Sequence, residues 1–392
     1  MAAAASATLQ RALHRIAGGI IVAPTAQASP YATVNVLAGD HPLPGRQSFT
    51  AAARIGDAAA GMRSDDVAIV LLSGGTTSLI AAPLRGLAEA DLGQLFELLL
   101  GSGLDIRMMN AARKRFSRWG AGRLALALAP ARTFTYIISD VVGDDPADIG
   151  SGPCTPDDFT VKQVTELLQK AGVLQRLSPA MRDYLTSVSR GMTPETPKRT
   201  HPAFAHVTTR VIGSNRLALD ALAAHARSSG IDVECVPTPL TGDASACGTV
   251  VADALLQRAR DGRRGCIAWG GETTVRLASG HDGVLGSPGG PPGGGRCQEL
   301  AMAAGRRLAE GGPAAARITL LAAGTDGRDG TSSAAGAFAD AELWAAIRDG
   351  GRDPELALMR HESYAALAGA GAILPERATG TNVMDVVIGL VD

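Results

Sequence analysis

Asp326 and Asp329 stand three positions apart in Gly324-Thr325-Asp326-Gly327-Arg328-Asp329-Gly330, and the possible chemistry of the chain centres on them. Carboxylates are hard oxygen ligands suited to Mg2+, and the glycines let the backbone turn sharply and approach a ligand closely. The segment follows a short apolar run, Ile318 to Ala322, of the kind that forms a strand buried on both faces. Thr331, Ser332 or Ser333 is then expected to cap a following helix, whose amide-rich start favours an anion. A strand, an acidic glycine loop and a helix start is how α/β proteins build sites at their strand ends. The competing explanation is an acidic turn in which Asp serves only its turn chemistry.

Other segments have the same form. Ser73-Gly74-Gly75-Thr76-Thr77-Ser78 follows the apolar run Ile69–Leu72 and could aim backbone N–H groups at a phosphate. No lysine follows it, so it is not a Walker A loop, and a plain strand-to-helix turn fits equally well. Asp140, in Ser139-Asp140-Val141-Val142-Gly143-Asp144-Asp145, falls at a strand end, where metal ligands are often found. Gly270-Gly271-Glu272-Thr273-Thr274 also follows a strand, and Gly294-Gly295-Arg296-Cys297-Gln298-Glu299 opens a helix. Arg296 is there well placed to clamp an oxyanion. Asn110, Arg113, Lys114, Arg115, Ser117 and Arg118 form a cationic cluster at helical spacing, with Arg113, Lys114 and Ser117 able to bind a carboxylate or phosphate. Such a run more often marks a solvated helix face. Gly120-Ala121-Gly122-Arg123-Leu124-Ala125 formally matches a dinucleotide fingerprint, but an arginine-rich segment precedes it where a buried strand is required.

The elements that must position these residues alternate along the chain. Apolar, β-branched runs at 20–22, 34–37, 67–72 and 134–138 are separated by helical stretches at 51–60, 92–100 and 122–128, which reads as a doubly wound, mostly parallel sheet. Residues 186–205, rich in Pro, Ser and Thr, read as a connection between domains. A second series of strands is expected near 207–212, 233–236, 266–269, 318–321 and 386–390, with helices at 217–225 and 244–259. The expectation is two α/β domains, 1–195 and 196–392. Gly286–Gly295 reads as a low-complexity loop. Residues 1–39 contain no Asp or Glu and are loosely transit-peptide-like, but a helix bearing Leu9, Leu13 and Ile16 is preferred because the strand Ile20-Ile21-Val22 follows at once.

Hydrophobic residues make up 46% of the 392 and charged residues 19%, which excludes a disordered chain. A net charge of −1 gives no global attraction to nucleic acid or an anionic membrane, and no apolar run reaches the ~20 residues needed to span a bilayer. Five scattered cysteines, with no CxxC, argue for a reducing, cytoplasmic setting and against a zinc site.

In order along nearly the whole chain, the sequence resembles the glycerate 2-kinase family with its MOFRL-type C-terminal domain, here about 265–392. The matching segments are His41-Pro42, Ser73-Gly74-Gly75, Asn110 with Arg113-Lys114 and Ser117, Ser139 to Asp145 with Ser151-Gly152-Pro153, and Ile212 to Arg216. They continue as Gly270 to Thr274, Gly295-Arg296 with Gln298-Glu299, Gly324 to Gly327 with Asp329-Gly330, and Thr379 to Asn382 with Asp385. Family members begin with a further strand and a Gly-Lys-Ala loop whose lysine is thought to be catalytic. Met1-Ala-Ala-Ala-Ala matches the helix just after that lysine. The family's Lys-Gly-Gly is Gly120-Ala121-Gly122 here, Cys297 stands where Asn is usual, and Thr76-Thr77 replaces a Gly/Ala-Ser pair.

The resemblance implies two α/β domains with a cleft between them and ATP- and Mg2+-dependent phosphorylation of D-glycerate to 2-phosphoglycerate, open to homodimerisation. It implies that Ser73, Gly74, Gly75, Gly271 and Glu272 contact the nucleotide phosphates and that Asp140 and Asp326 hold Mg2+ or orient the substrate hydroxyl. Arg296 would stabilise the phosphoryl oxygens, Arg113 or Lys114 would bind the substrate carboxylate, and Asp329 would support Asp326 beside the substrate. Two other readings are a catalytically impaired or truncated ligand-binding paralogue and a hydroxypyruvate reductase.

Overall fold

A computed structural model of the chain describes residues 1, 4, 5, 7, 8, 16–26, 29, 32–275 and 293–392. The expected N-terminal helix, with Leu9 and Leu13, lies largely outside the described residues, as does the Gly286–Gly295 loop up to its last three glycines. The chain divides into two compact units, Met1–Ile212 and Gly213–Asp392, against an expected boundary at 195/196. Residues 195–198 do not form a linker. The Glu195 carboxylate accepts the N–H of Val161 at 2.7 Å, and Lys198 Nζ donates to the carbonyl of Asp157 at 2.9 Å. The strand expected to open the second domain, β5 below, continues the first unit's sheet.

The first unit carries its strands in two sheets. β1 (Gly19–Ala23) pairs parallel with β2 (Val34–Ala38). β3 (Val67–Leu72), β4 (Arg132–Ile138) and β5 (Val207–Gly213) form a three-stranded sheet in that order, with β3 and β4 parallel. Its helices are α1 (Arg46–Ala60), α2 (Thr76–Leu79), α3 (Glu89–Leu100), α4 (Ile106–Phe116), α5 (Arg123–Leu128), α6 (Val161–Lys170) and α7 (Pro179–Ser189). α6 shows how local sequence sets an element. Thr160 and Gln163 form a reciprocal capping box, and Val161, Val164 and Leu168 fall on one face at helical spacing. That face joins Leu92, Leu95, Phe96 and Leu99 of α3 and Phe116 of α4 in a helical core.

The second unit is built on one seven-stranded mixed sheet. Its strands are β6 (Val233–Cys235), β7 (Leu240–Asp243), β8 (Gly265–Thr274), β9 (Ile318–Gly324), β10 (Ala334–Ala339), β11 (Ile373–Pro375) and β12 (Asp385–Val391). The order is β11-β10-β9-β12-β8-β6, with β7 also pairing β8. β12 runs antiparallel to both β9 and β8, while β6 and β7 run parallel to β8. The near-continuous apolar runs follow from burial on both faces. Cys266 and Ala268 pack with Leu219 and Ala223 of α8 (Asn215–Ser228). Ile267 and Trp269 pack instead with Leu255 and Leu256 of α9 (Ala244–Arg260) and Leu300 of α10 (Arg296–Ala309). Leu255 is fully buried, and truncating such a residue to Ala typically costs ~2–5 kcal/mol.

One local expectation is corrected. Thr331, Ser332 and Ser333 cap no helix; they lead into β10, which returns antiparallel along β9. Ala-rich Ala334–Ala339 has helix-favouring composition, but its small residues allow close strand packing. A Cβ on Gly336 would stand 2.0 Å from the carbonyl oxygen of Ala322. Tertiary packing overrides propensity at this point.

Candidate active site

In the first unit, Ser73, Gly74 and Gly75 link β3 to α2, and Asp140 follows β4, the parallel neighbour of β3. The loop and the carboxylate therefore meet at adjacent strand ends. A Cβ on Gly74 would lie 2.0 Å from Asp140 Oδ2, so only glycine leaves the carboxylate room, and Gly75 takes a left-handed φ of 77°. Among the described residues no backbone acceptor meets the N–H groups of Gly74 and Gly75. Burial raises the Asp140 pKa above the ordinary carboxylate value, opposed by a hydrogen bond with its own backbone and by the nearby His41 imidazole. Asp140 makes no ion pair with any described cation.

The cationic helix α4 divides its charges. Lys114 is buried and pairs with Asp157 at 3.2 Å, so the expectation that it meets a substrate carboxylate is corrected. Arg115 is fully buried, pairs with Asp157 at 3.4 Å and also bonds Glu195. Arg123 donates to the carbonyls of Lys114 at 2.8 Å, Ser117 at 3.0 Å and Arg115 at 3.1 Å, covering the end of α4. The formal dinucleotide match at 120–125 is thus a junction between two helices, with its arginine locked onto carbonyls. Arg113 is different. It is half-buried, stacks 4.7 Å over the Phe96 ring and has a buried Nε with no hydrogen-bond partner among the described residues. It forms no ion pair there either, and burial lowers its pKa.

In the second unit the register brings Asp385, at the start of β12, level with Gly324 at the end of β9 and with Gly271 in β8. Asp385 takes Arg296 in a two-pronged contact, Nε to Oδ2 at 2.5 Å and Nη2 to Oδ1 at 3.0 Å. The other terminal nitrogen, Nη1, reaches Glu272 at 2.9 Å. Burial works against the charge of Arg296, but the Asp385 contacts and Glu272 outweigh it and hold the guanidinium pKa above its ordinary value. Gly271 and Glu272 do not form the expected phosphate loop. β8 runs on to Thr274, so Gly271 pairs with both Leu240 and Asp385, and Glu272 pairs with Thr241.

Asp326 and Asp329 separate into two roles. Asp329 is 3% exposed and caps α10, accepting the N–H of Cys297 at 3.0 Å and of Gln298 at 2.8 Å, with Gln298 Nε2 at 2.9 Å. The carboxylate therefore occupies the helix start where an external anion was expected, and Asp329 is corrected from substrate contact to cap. Asp326 is half-buried, accepts the N–H of Arg328 at 3.0 Å on one oxygen and has no ion pair with a described cation. Its loop is tied to the chain before β12 by Thr325 Oγ1 donating to the carbonyl of Met384 at 2.7 Å and by the N–H of Thr379 donating to the carbonyl of Asp326 at 3.2 Å.

Among the described residues no group of three or more His, Cys, Asp or Glu side chains is arranged to hold a metal. The two expected ligands, Asp140 and Asp326, lie in different units, and neither makes an ion pair with a described cation. Sequence reasoning gave Asp385 no role. It stood among the family-matching segments, as an acid at the head of a strand otherwise wholly apolar.

The family description MOFRL fits residues 265–385, and a domain of unknown function, DUF4147, fits residues 1–186. The chain is 35% identical, over 97% of its length and 96% of the relative's, to an Agrobacterium vitis protein provisionally named hydroxypyruvate reductase. It is 31% identical to D-glycerate 2-kinase of Thermotoga maritima, over 96% of this chain and 85% of that one. The crystal structure of glycerate kinase from Thermotoga maritima superposes with a TM-score of 0.82 at 30% identity, covering 96% of this chain and 86% of that one.

Proposed function

This chain belongs to the glycerate 2-kinase family with a MOFRL region, and from that premise we propose that it transfers the terminal phosphoryl group of ATP to the 2-hydroxyl of D-glycerate. The observation that carries the reading is the Asp140 carboxylate set against the open amides of Gly74 and Gly75 at adjacent strand ends. Phosphoryl transfer asks for positioning and charge neutralisation more than for covalent chemistry. Backbone amides of Gly74 and Gly75, with the exposed Ser73 hydroxyl, meet phosphate oxygens.

Mg2+ is usually held by one or two carboxylates plus substrate phosphates, and Asp140, a hard oxygen donor free of ion pairs beside the Gly74–Gly75 amides, fits that requirement within the first unit, as Asp326, likewise free of ion pairs, does within the second. When bound, the ion supplies neutralisation of the phosphoryl charge. Arg296 has five N–H groups. Three are engaged by Asp385 and Glu272, and the remaining two can meet phosphoryl oxygens. Arg113, with its charge unpaired, takes the glycerate carboxylate. The purified chain is expected to release ADP from ATP only when D-glycerate is added. Release independent of D-glycerate would contradict the reading.

The provisional name of one relative favours hydroxypyruvate reduction instead. That reaction needs a glycine fingerprint between a strand and a helix, and the formal match at 120–125 joins α4 to α5. NADH oxidation on addition of hydroxypyruvate would establish the reductase. A ligand-binding paralogue would show glycerate or ATP raising the melting temperature while no phosphoglycerate forms.

A further inference from the structure

We propose that His41 is a ligand-contacting residue in the first unit, its imidazole donating a hydrogen bond to an anionic oxygen held at the Gly74–Gly75 loop. The assignment rests on the reading of that loop given above. Nothing in the family descriptions or the relatives' names assigns the residue a role.

One residue earlier, Asp40 ties the chain to the start of α1. The carboxylate of Asp40 accepts the N–H groups of Gln47 at 2.9 Å and Ser48 at 3.1 Å at the start of α1. The buried Ser48 hydroxyl in turn accepts the N–H of Asp40 at 2.8 Å. The backbone next to His41 is thus fixed, while His41 itself is exposed. Its ring lies against the glycine loop. Cδ2 and Nε2 are 3.1 and 3.3 Å from the point where a Cβ on Gly75 would stand. The preceding glycine carries Asp140 at its own Cβ position, and the imidazole is near enough to Asp140 to favour that carboxylate's charge. No described residue hydrogen-bonds the ring.

An imidazole on an anchored stretch of backbone, unsatisfied and open to solvent, has a donor to give in either protonation state. The loop beside it has free amides and room made by two glycines. Together they suit an oxyanion, supplied either by a phosphoryl group or by the carboxylate of a small hydroxy acid.

The test is calorimetric titration of the full chain with ATP, inorganic pyrophosphate and D-glycerate, for the wild type, His41→Gln and His41→Ala, with melting temperatures alongside. Both variants should bind about tenfold more weakly or worse, as loss of a hydrogen bond to a charged group predicts, with melting temperatures unchanged. Weakening with ATP and pyrophosphate identifies a phosphoryl oxygen; weakening with D-glycerate alone identifies the carboxylate. Wild-type affinities in both variants, a wild type that binds none of the three, or a melting temperature that falls along with affinity would each overturn the assignment. Turnover separates this inference from its premise. A wild type that binds through His41 but forms no phosphoglycerate sinks the kinase reading alone. Normal turnover with unaltered affinities in the variants sinks His41 alone.

Discussion

In the first unit one carboxylate sits among cations; in the second, one cation sits among carboxylates. Asp157 is ringed by Lys114 at 3.2 Å, Arg115 at 3.4 Å, Lys198 at 3.9 Å and the Thr196 hydroxyl at 2.8 Å. Arg296 is ringed by Asp385 and Glu272. The clusters differ most in exposure. At the centre of the first, the side chains of Asp157, Lys114 and Arg115 are at most 2% exposed, with Lys198 at its edge at 32%; in the second, Asp385 is 8% exposed but Arg296 and Glu272 are 34% and 40% exposed. A sealed cluster recovers its desolvation cost only through internal pairing, so it serves the fold. An open one leaves N–H groups for an incoming anion. Residue type and spacing do not separate these roles, because both clusters read from sequence as anion sites.

Breaking the sealed cluster should have the largest effect on stability. Asp157→Asn removes the carboxylate shared by three cations and leaves buried Lys114 without its ion pair, and is expected to cost about 3–5 kcal/mol in urea unfolding. Arg296→Ala should lower kcat by ~10³-fold, in the range of other phosphoryl-stabilising arginines, with a smaller loss of stability than Asp157→Asn. Equal stability losses would erase the distinction drawn between the clusters. The adjacent pair on α4 sharpens it. Arg113→Ala should raise the KM for D-glycerate about tenfold or more at nearly constant melting temperature, whereas Lys114→Ala should lower the melting temperature.

The pH response has a definite sign. Burial alone would raise the Asp157 pKa, but Lys114, the Thr196 hydroxyl, Arg115 and Lys198 outweigh it and hold the pKa below the ordinary value. With a folded pKa depressed below the unfolded ~3.9, the stabilisation is complete above about pH 4. It is lost as pH falls through the depressed value. Acid titration of unfolding should show this loss in the wild type and not in Asp157→Asn. The smallest effect is expected at Arg328, which is 67% exposed in its pair with Glu376. Arg328→Ala should change stability by no more than ~0.5 kcal/mol.

Much of the fold was legible because burial on both faces writes itself into sequence: the apolar runs at 266–269, 318–321 and 386–390 are strands β8, β9 and β12. β10 was not legible, since Ala334–Ala339 forms a strand only through close packing on β9. Nor could the sequence reveal that residues 195–198 close a charge network around Asp157, about 40 residues away in the chain. At the site, Ser73-Gly74-Gly75 and Asp140 were readable as loops after strands. The capping role of Asp329 was not, because it depends on a helix start whose residues lie about 30 positions earlier. Asp385 stood among the family-matching residues, but its pairing with Arg296, 89 positions earlier, was not legible for the same reason.

The most direct test of the kinase account is product identity. The chain is supplied with ATP, Mg2+ and D-glycerate, and enolase is added without phosphoglycerate mutase. The account predicts that phosphoenolpyruvate accumulates, since enolase acts on 2-phosphoglycerate. A phosphorylated product that enolase leaves untouched, or no phosphorylated glycerate at all, would contradict it.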